Sequence, residues 1–570
     1  MSAAFKALHP IRWFDSLPIV AYLLLGRQAM RFATKAAIGL FLSAFFLGCY
    51  GGAQPEAPRR DILISEIGDD IRILDPGLCT DSVTFRILTN IYEGLTRIGP
   101  GGRIVPGIAS RVEVSKDKLS YTFFLRDALW SDGVPVTAKD FVFSLERIMN
   151  PRTAAQYAYI VTDTLEHVEA LGKRTLRILL KRPTPYFLWL TAFPTYLPVR
   201  QDLLETFGQS YGTSPERAAY NGPFVVTAWK KGSKVVLKKN PRYWDKQAVL
   251  LRAAEFVVVK DPNTLVQMYD TGALSMIYQV PTVHLPRYAR DPRLKPRPEA
   301  AVDYIVFNLH RPDLKALQNP KVRKALSLVL DRQAYCDNVD RQSLPAYGFV
   351  PPTISGGEPG SSFRANYGER FGVFHDPLTK RPYRMSVWFE DRRIEEAKAL
   401  FQEGLDESRE SQLTFSLLID DTPQARRLGQ VLQFLWQKYL GVNVRLDPVT
   451  YQTRLARVAM KNYETANVLW GADYDDPMTF LDLFTTGSPF NDPGFSNPDY
   501  DELIKKARQS SDKTGRMMLL VQAEKLLIEE SPIVPIFYRL SYALVPSYLK
   551  GIVFLACGAD GPLKWARLQP

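Results

Sequence analysis

Asp473, Asp475 and Asp476 stand together in GADYDDP, the one acidic cluster of the chain. Carboxylates this close can hold a hard cation or share a proton as an acid–base pair. A single run supplies no second arm across a substrate, however, and aspartates before a helix also serve as ordinary caps. Other reactive residues are scattered. His9, His167, His284, His310 and His375 lie far apart, and Cys49, Cys79, Cys336 and Cys557 form neither a CxxC pair nor a Cys/His zinc spacing. If Cys49 has a task of its own, three cysteines remain and at most one disulfide can form within the chain. No GxSxG elbow, GxxxxGK[ST] phosphate loop, HExxH helix or GxGxxG turn occurs. The expectation is therefore a protein that is not an enzyme and carries neither cofactor nor metal; the distant alternative, an exported hydrolase, lacks a recognisable nucleophile and base.

What must position these residues is large. A chain of 570 residues exceeds what one hydrophobic core organises, so two or three domains are expected. Hydrophobic residues at 46% and charged residues at 23% are ordinary globular values. The formal charge of +12 is not drawn into a stripe, since acidic residues interleave with the basic ones. That pattern describes a solvated surface and predicts no nucleic-acid partner.

MRFATKAAIGLFLSAFFLGCYGG looks like the start of an exported protein, although it begins at Met30. Arg31 and Lys35 form a positive head, and 36–48 is an apolar run of signal-peptide length, too short to span a bilayer, which takes roughly 20 apolar residues. Cys49 after Gly48 resembles the acceptor cysteine of a bacterial lipoprotein signal, while Phe46 and Leu47 depart from that pattern. The reading is translation from Met30, with 1–29 outside the true precursor, a signal peptide over 30–48, and a tether over 49–60 lipidated at Cys49. It implies a membrane-anchored lipoprotein in the periplasm or at the cell surface.

Beyond the tether, DILISEI alternates as a strand and SVTFRILTNIYEGL has helical spacing. YTFFLR, TLRILL, KVVLKK and AEFVVV are strands, and Thr137 with Asp140 three residues on begins a helix that Asn150-Pro151 ends. From Asp303 a second block alternates strand and helix. YIVFNLH, RMSVWFE, QLTFSLLID and VNVRLDPV are the strands; NPKVRKALSLVLDRQAY, RIEEAKALFQEGL and ARRLGQVLQFLWQKYLG are the helices. The tail adds the helix GRMMLLVQAEKLLIEE and the strand PIVPIFY. This predicts an α/β protein with mixed sheets.

Several of these stretches share another property. LDPGLCTDSVTFRILTNIYEGLTRI, WSDGVPVTAKDFVFSLERIMNP, YNGPFVVTAWKKGSKVVLKKNPRYWD, VFNLHRPDLKALQNPKVRKALSLVLDRQAY, WGADYDDPMTFLDLF and AEKLLIEESPIVPIFYRL resemble, in order, the blocks of the extracellular solute-binding proteins of family 5. These are the oligopeptide- and dipeptide-binding proteins that serve ABC importers. The resemblance runs from about Asp61 to Ser547. It implies a two-lobed clamp of the periplasmic-binding-protein type II class with an extra inserted domain. Lobe I would be discontinuous over 61–92, 220–308 and 530–570, the inserted domain would span 93–219, and lobe II 309–529.

The resemblance also implies a monomer that captures short peptides between its lobes and delivers them to ABC permease subunits. Asp473 matches the position that holds the ligand's α-ammonium, and Trp470 would line a side-chain pocket. Leu469, Trp470 and Gly471 would offer a strand edge to the ligand backbone, with Ser82 as a second edge on the other lobe. Tyr157, Asn491 and Tyr538 match hydrogen-bonding positions. Asn467 stands where some relatives have an arginine for the ligand carboxylate, which leaves ligand length open. A nickel chelate, haem or a cell-wall peptide is the alternative ligand for the same fold.

Overall fold

The computed structural model describes residues 62–570 except 298, 358–360, 511, 558–560 and 570. Met30, the apolar run 36–48 and the lipidation candidate Cys49 lie outside the described residues. Three larger sheets organise the described residues, with four two-stranded ones beside them. The alternating segment DILISEI forms the strand Ile62–Ile67, parallel to Ala253–Val258. Antiparallel pairing with Lys234–Lys239 and then Phe224–Lys230 completes a four-stranded sheet.

A second four-stranded sheet, antiparallel throughout, contains Ala109–Val114, Ser120–Leu125, Thr175–Leu180 and Leu165–Gly172 in that order. Its period of two is visible in Ser120–Leu125, where Tyr121, Phe123 and Leu125 are buried and their neighbours half-exposed. Helix Ala138–Met149 begins as its sequence indicates, with the Asp140 carboxylate accepting from the Thr137 backbone N–H at 2.7 Å.

The third sheet has six strands in the order Ser343–Pro345, Ile533–Arg539, Ala301–Phe307, Thr465–Gly471, Thr414–Asp420 and Asn443–Val449. It is mixed. Ala301–Phe307 runs antiparallel to both neighbours, whereas Thr414–Asp420 runs parallel to both of its own. Every residue of Ala301–Phe307 is buried, as a central strand covered on both faces should be, and the one charged member, Asp303, is paired with Arg539. Ala301–Phe307 and Ile533–Arg539, assigned to lobe I from the sequence, thus pair into this sheet.

Helix Pro423–Leu440 packs on the sheet. Thr422 caps its start, Pro423 fills the first position and Gly441 at φ 69° ends it in the left-handed conformation that glycine tolerates best. Its Trp436 is fully buried and donates Nε1–H to the Leu326 carbonyl at 2.8 Å, tying it to helix Pro320–Leu328.

Two adjacent chain segments connect the first and third sheets. Leu294–Arg297 pairs antiparallel with Ser541–Leu544, and each is close in sequence to a strand of the six-stranded sheet. On the other side Ile277 bridges to Leu544, and Ser275 N–H donates to the Ile64 carbonyl at 2.7 Å. A paired two-segment crossing of this kind can flex as a hinge.

Two expectations need adjustment. Only the first three residues of RMSVWFE are extended, as the end of strand Pro382–Ser386, and beyond them Trp388 donates Nε1–H to Glu524 Oε2 at 2.7 Å. Cys79, Cys336 and Cys557 are all buried and free, and burial pushes the Cys79 thiol up to about 12. Among the described residues no helix is long and apolar enough to cross a membrane.

Candidate ligand cleft

The three aspartates of GADYDDP diverge. Asp476 forms a buried two-bond pair with Arg516, Oδ2 to Nη1 at 2.7 Å and Oδ1 to Nη2 at 2.8 Å, and Oδ1 also accepts from Met478 N–H at 2.9 Å. It therefore forms the turn before helix Met478–Leu481, one of the structural roles open to it from sequence. Asp475 accepts from Ser355 N–H at 2.8 Å, and burial pushes its carboxyl up to about 6. Among the described residues no group of three His, Cys, Asp or Glu can hold a metal ion.

Asp473 alone turns toward the aromatic groups of another segment. Its Oδ2 accepts from the Tyr159 hydroxyl at 3.4 Å, and its backbone N–H is held by Thr479 Oγ1 at 3.2 Å. Burial pushes the Asp473 carboxyl up to about 6, opposed only in part by the Tyr159 bond, and no cation pairs with it among the described residues. A carboxyl in this state gains most from an incoming positive group, because such a partner offsets the desolvation that holds it protonated.

Around it, aromatic rings from distant parts of the chain meet. Tyr159 lies 5.2 Å from Phe490 and stacks on Tyr157 at 5.9 Å, and Phe490 packs edge-on to Trp470 at 5.5 Å. Tyr186 stacks on Tyr474, with centroids 4.0 Å apart and planes 10° from parallel. Trp470 is fixed by donating Nε1–H to the Thr479 carbonyl at 2.9 Å. Tyr157, Tyr159 and Tyr186 all come from 93–219, so the cleft closes between that segment and the six-stranded sheet.

The strand bearing Trp470 has an open edge. Along Ala301–Phe307 all residues of Thr465–Gly471 are paired, but on its other side Thr414–Asp420 reaches only Thr465 and Ala466. Asn308 N–H donates to the Glu464 carbonyl at 3.1 Å and Ala472 N–H to the Ala300 carbonyl at 2.8 Å. Hydrogen-bonded pairs alternate in an antiparallel ladder, so the even-numbered residues face Ala301–Phe307. The N–H and C=O groups of Leu469 and Gly471 therefore point to the unpaired side. Leu469 and Gly471 are exposed, and a Cβ added at Gly471 would meet nothing within 4 Å.

The other sequence-derived candidates divide. Tyr157 lies in the cleft, against Tyr159, Phe85 and Phe193. Ser82 is the first residue of helix Ser82–Ile91, whose Phe85 packs on Tyr157. A helical first turn offers free N–H donors but not a strand edge, so no ladder starts at Ser82 itself. Asn491 spends its side chain on its own loop, donating to the Phe495 and Thr485 carbonyls at 2.6 and 3.2 Å and accepting from Phe495 N–H at 3.0 Å. It holds Phe490 in position rather than facing the cleft. Tyr538 is 1% exposed and donates to the Gly348 carbonyl at 2.8 Å, which makes it a core residue. Asn467 donates to Asp303 Oδ1 at 3.2 Å and to the Tyr304 carbonyl at 3.3 Å.

Sequence reasoning does not single out Tyr159, Tyr186, Tyr474 or Phe490. Tyr474 and Phe490 adjoin residues that it names, whereas Tyr186 in TPYFLWL carries no local signal. Its partner is remote in sequence, and only the tertiary fold brings the two rings together.

Comparison with known proteins gives a consistent family. The family model of bacterial extracellular solute-binding proteins, family 5 Middle, matches residues 103–492. The oligopeptide-binding protein OppA of Bacillus subtilis is 33% identical over 536 residues, covering 90% of this chain and 93% of its own. A dipeptide-binding protein of Lactococcus lactis is 32% identical over 559 residues, covering 93% and 98%. The solved structure of Listeria monocytogenes OppA bound to peptide superposes with a TM-score of 0.70 at 28% identity, over 90% of this chain and 100% of that one.

Proposed function

We propose, from the premise that the chain belongs to the bacterial extracellular solute-binding proteins of family 5, that it captures short peptides between two lobes and hands them to an ABC transporter permease. The observation that carries this reading is the open edge at Leu469 and Gly471, which ends beside the unpaired carboxyl of Asp473. Main-chain pairing along a strand edge grips any peptide irrespective of its side chains. A carboxylate at the end of that edge selects the amino terminus. Trp470, Phe490 and Tyr157 supply flat apolar walls that accept varied side chains. No nucleophile–base pair is needed, and the protein acts by binding alone.

Closure follows from the same contacts. A ligand that touches Asp473 on one side and the tyrosines of 93–219 on the other stabilises the closed arrangement through its differential affinity for that state. The paired crossing at Leu294–Arg297 and Ser541–Leu544 is the hinge about which the lobes move. The closed monomer is the form presented to the permease. Lipidation at Cys49 holds it at the membrane surface, and an acyl group on the mature amino terminus, read by intact-mass spectrometry, tests that anchor.

Native mass spectrometry of the purified protein tests the function. Co-purifying short peptides released on denaturation support it. A nickel chelate, haem or another non-peptide ligand in their place would overturn it.

The Asp473 carboxyl also sets a pH dependence. It must be ionised to hold an ammonium, and it is protonated below about 6. Affinity for peptides with a free amino end should therefore fall as pH drops from 7 to 5, approaching tenfold per pH unit at the acid end. Titration calorimetry in buffers of different ionisation heat should detect proton release on binding near pH 6. A flat profile would place the ammonium elsewhere.

A further inference from the structure

Beside the open strand edge lies a cavity of about 360 Å³ whose chemistry the capture of an amino terminus does not use. It opens at Asn467 and Leu469, on the sheet face that carries Asp303, Phe537 and Arg539. Tyr335 contributes its hydroxyl, which is buried and has no hydrogen-bond partner among the described residues, although the residue is only 5% exposed. Arg454, also 5% exposed, donates Nε–H to Asp420 Oδ1 at 2.6 Å and has no hydrogen-bond partner for either terminal nitrogen among the described residues. Arg539 is tied by Nε–H to Asp303 Oδ2 at 3.0 Å.

The charges lining this space cancel as formal units, Asp303 and Asp420 against Arg454 and Arg539, while Asp340 and Arg427 act on Tyr335 from beyond the lining. Two helix starts add positive dipole ends. Two helices begin at the cavity, Pro423–Leu440 behind the cap Thr422 and Tyr451–Ala459 behind the cap Thr450, and the amino ends of helices favour anions. Both aspartates are occupied by arginine Nε–H or by Asn467, whereas the unpartnered groups, the Tyr335 hydroxyl and the Arg454 terminal nitrogens, are donors. The Tyr335 hydroxyl is a buried donor left unpaired, which is costly, so a ligand acceptor beside it and the Arg454 terminal nitrogens is favoured.

We propose that this cavity receives an acidic side chain of the bound peptide, with the Arg454 guanidinium and the Tyr335 hydroxyl as its donors. The inference rests on the peptide-binding reading above and adds selectivity to it. A ligand strand paired along Leu469 and Gly471 keeps its main chain at the sheet edge and sends alternate side chains to this face. A side chain therefore has the reach, whereas a carboxyl terminus lies along the edge itself. Asn467, at the mouth, widens the opening that a longer residue would close.

The test is titration calorimetry with short alanine-based peptides carrying Glu or Gln at each internal position in turn, with free and amidated carboxyl ends. At one position the Glu peptide should bind about tenfold or more tighter than its Gln counterpart, as the loss of a charge-assisted hydrogen bond requires. Arg454→Gln should reduce that ratio to within about twofold, and Tyr335→Phe, which deletes one oxygen and spares the Arg454–Asp420 pair, should reduce it severalfold. Gln peptides that bind normally at every position, with no gain for Glu, would overturn the acidic pocket and leave peptide capture standing. A preference abolished by amidation, not by Glu-to-Gln exchange, would assign the cavity to the carboxyl terminus and overturn the side-chain proposal. If no peptide binds in any form, the broader reading fails, and this one with it.

Discussion

Asp473→Asn weakens binding of peptides with a free amino end by about 30-fold or more and leaves their N-acetylated forms nearly unchanged. The magnitude follows from removing one partner of an enclosed charge pair, which costs about 2 kcal/mol or more. Shape is preserved, because Asn keeps the side-chain volume and can still accept from the Tyr159 hydroxyl that bonds Asp473 Oδ2. The same substitution stabilises the ligand-free protein. Burial raises the Asp473 carboxyl to about 6, above its unfolded value, so its contribution to stability is fully present below about pH 4 and is lost as pH rises through about 6. At neutral pH an uncharged Asn escapes that loss, a trade of stability for function common at binding sites. Equal weakening of free and acetylated peptides would remove Asp473 from the ammonium role, and a lower unfolding midpoint at pH 7.5 would contradict the electrostatic account.

Glu524→Gln destabilises the fold by about 3–5 kcal/mol, the scale for leaving a buried charge unpaired. Glu524 and Arg364 are both fully buried, with Nη2 of Arg364 2.6 Å from Oε1 of Glu524. The carboxylate organises more than the pair. Its Oε1 accepts from the Phe349 and Val350 N–H groups at 2.8 Å each, and its Oε2 from the Trp388 indole at 2.7 Å. Arg364 in turn donates to the Val350 carbonyl at 2.9 Å and to Ser386 Oγ at 2.9 Å. The backbone passes so closely that a Cβ at Gly348 would lie 1.5 Å from Arg364 Nη2. A double replacement of Arg364 and Glu524 by leucine does not restore stability, since the Phe349, Val350 and Trp388 donors then lose their acceptor. Urea unfolding measures both, and a loss below about 1 kcal/mol for Glu524→Gln would refute the network's role.

Much of the architecture was legible because its signals are local. Thr137 with Asp140, the Thr422-Pro423 start and the Gly441 stop specify helix ends through hydrogen bonds and dihedrals within a few residues. The alternation in YTFFLR and the unbroken apolar run of YIVF marked one strand half buried and another buried on both sides. The family blocks, each a short run, pointed to Asp473 and to the Leu469–Gly471 segment as candidates. Tyr538 and Asn491 show the converse, since a residue type in a familiar block does not reveal whether its hydroxyl or amide already has a partner. Tyr538 donates to Gly348 and Asn491 to Phe495, both inside the fold.

The sequence by itself determined the elements, their caps, the mixed α/β class, the family and the one acidic run beside a tryptophan. Only the tertiary structure showed that Asp473 is the aspartate of that run turned toward the aromatic rings, because Arg516 and Ser355 claim the other two. It also decided that Leu469 and Gly471 turn their backbone groups outward, that Tyr186 meets Tyr474, and that Tyr335 and Arg454 share one cavity. The physical reason is range: caps and periodicities act over one or two turns of chain, whereas ladder parity, ring stacking and burial depend on partners that sequence separates by tens to hundreds of residues.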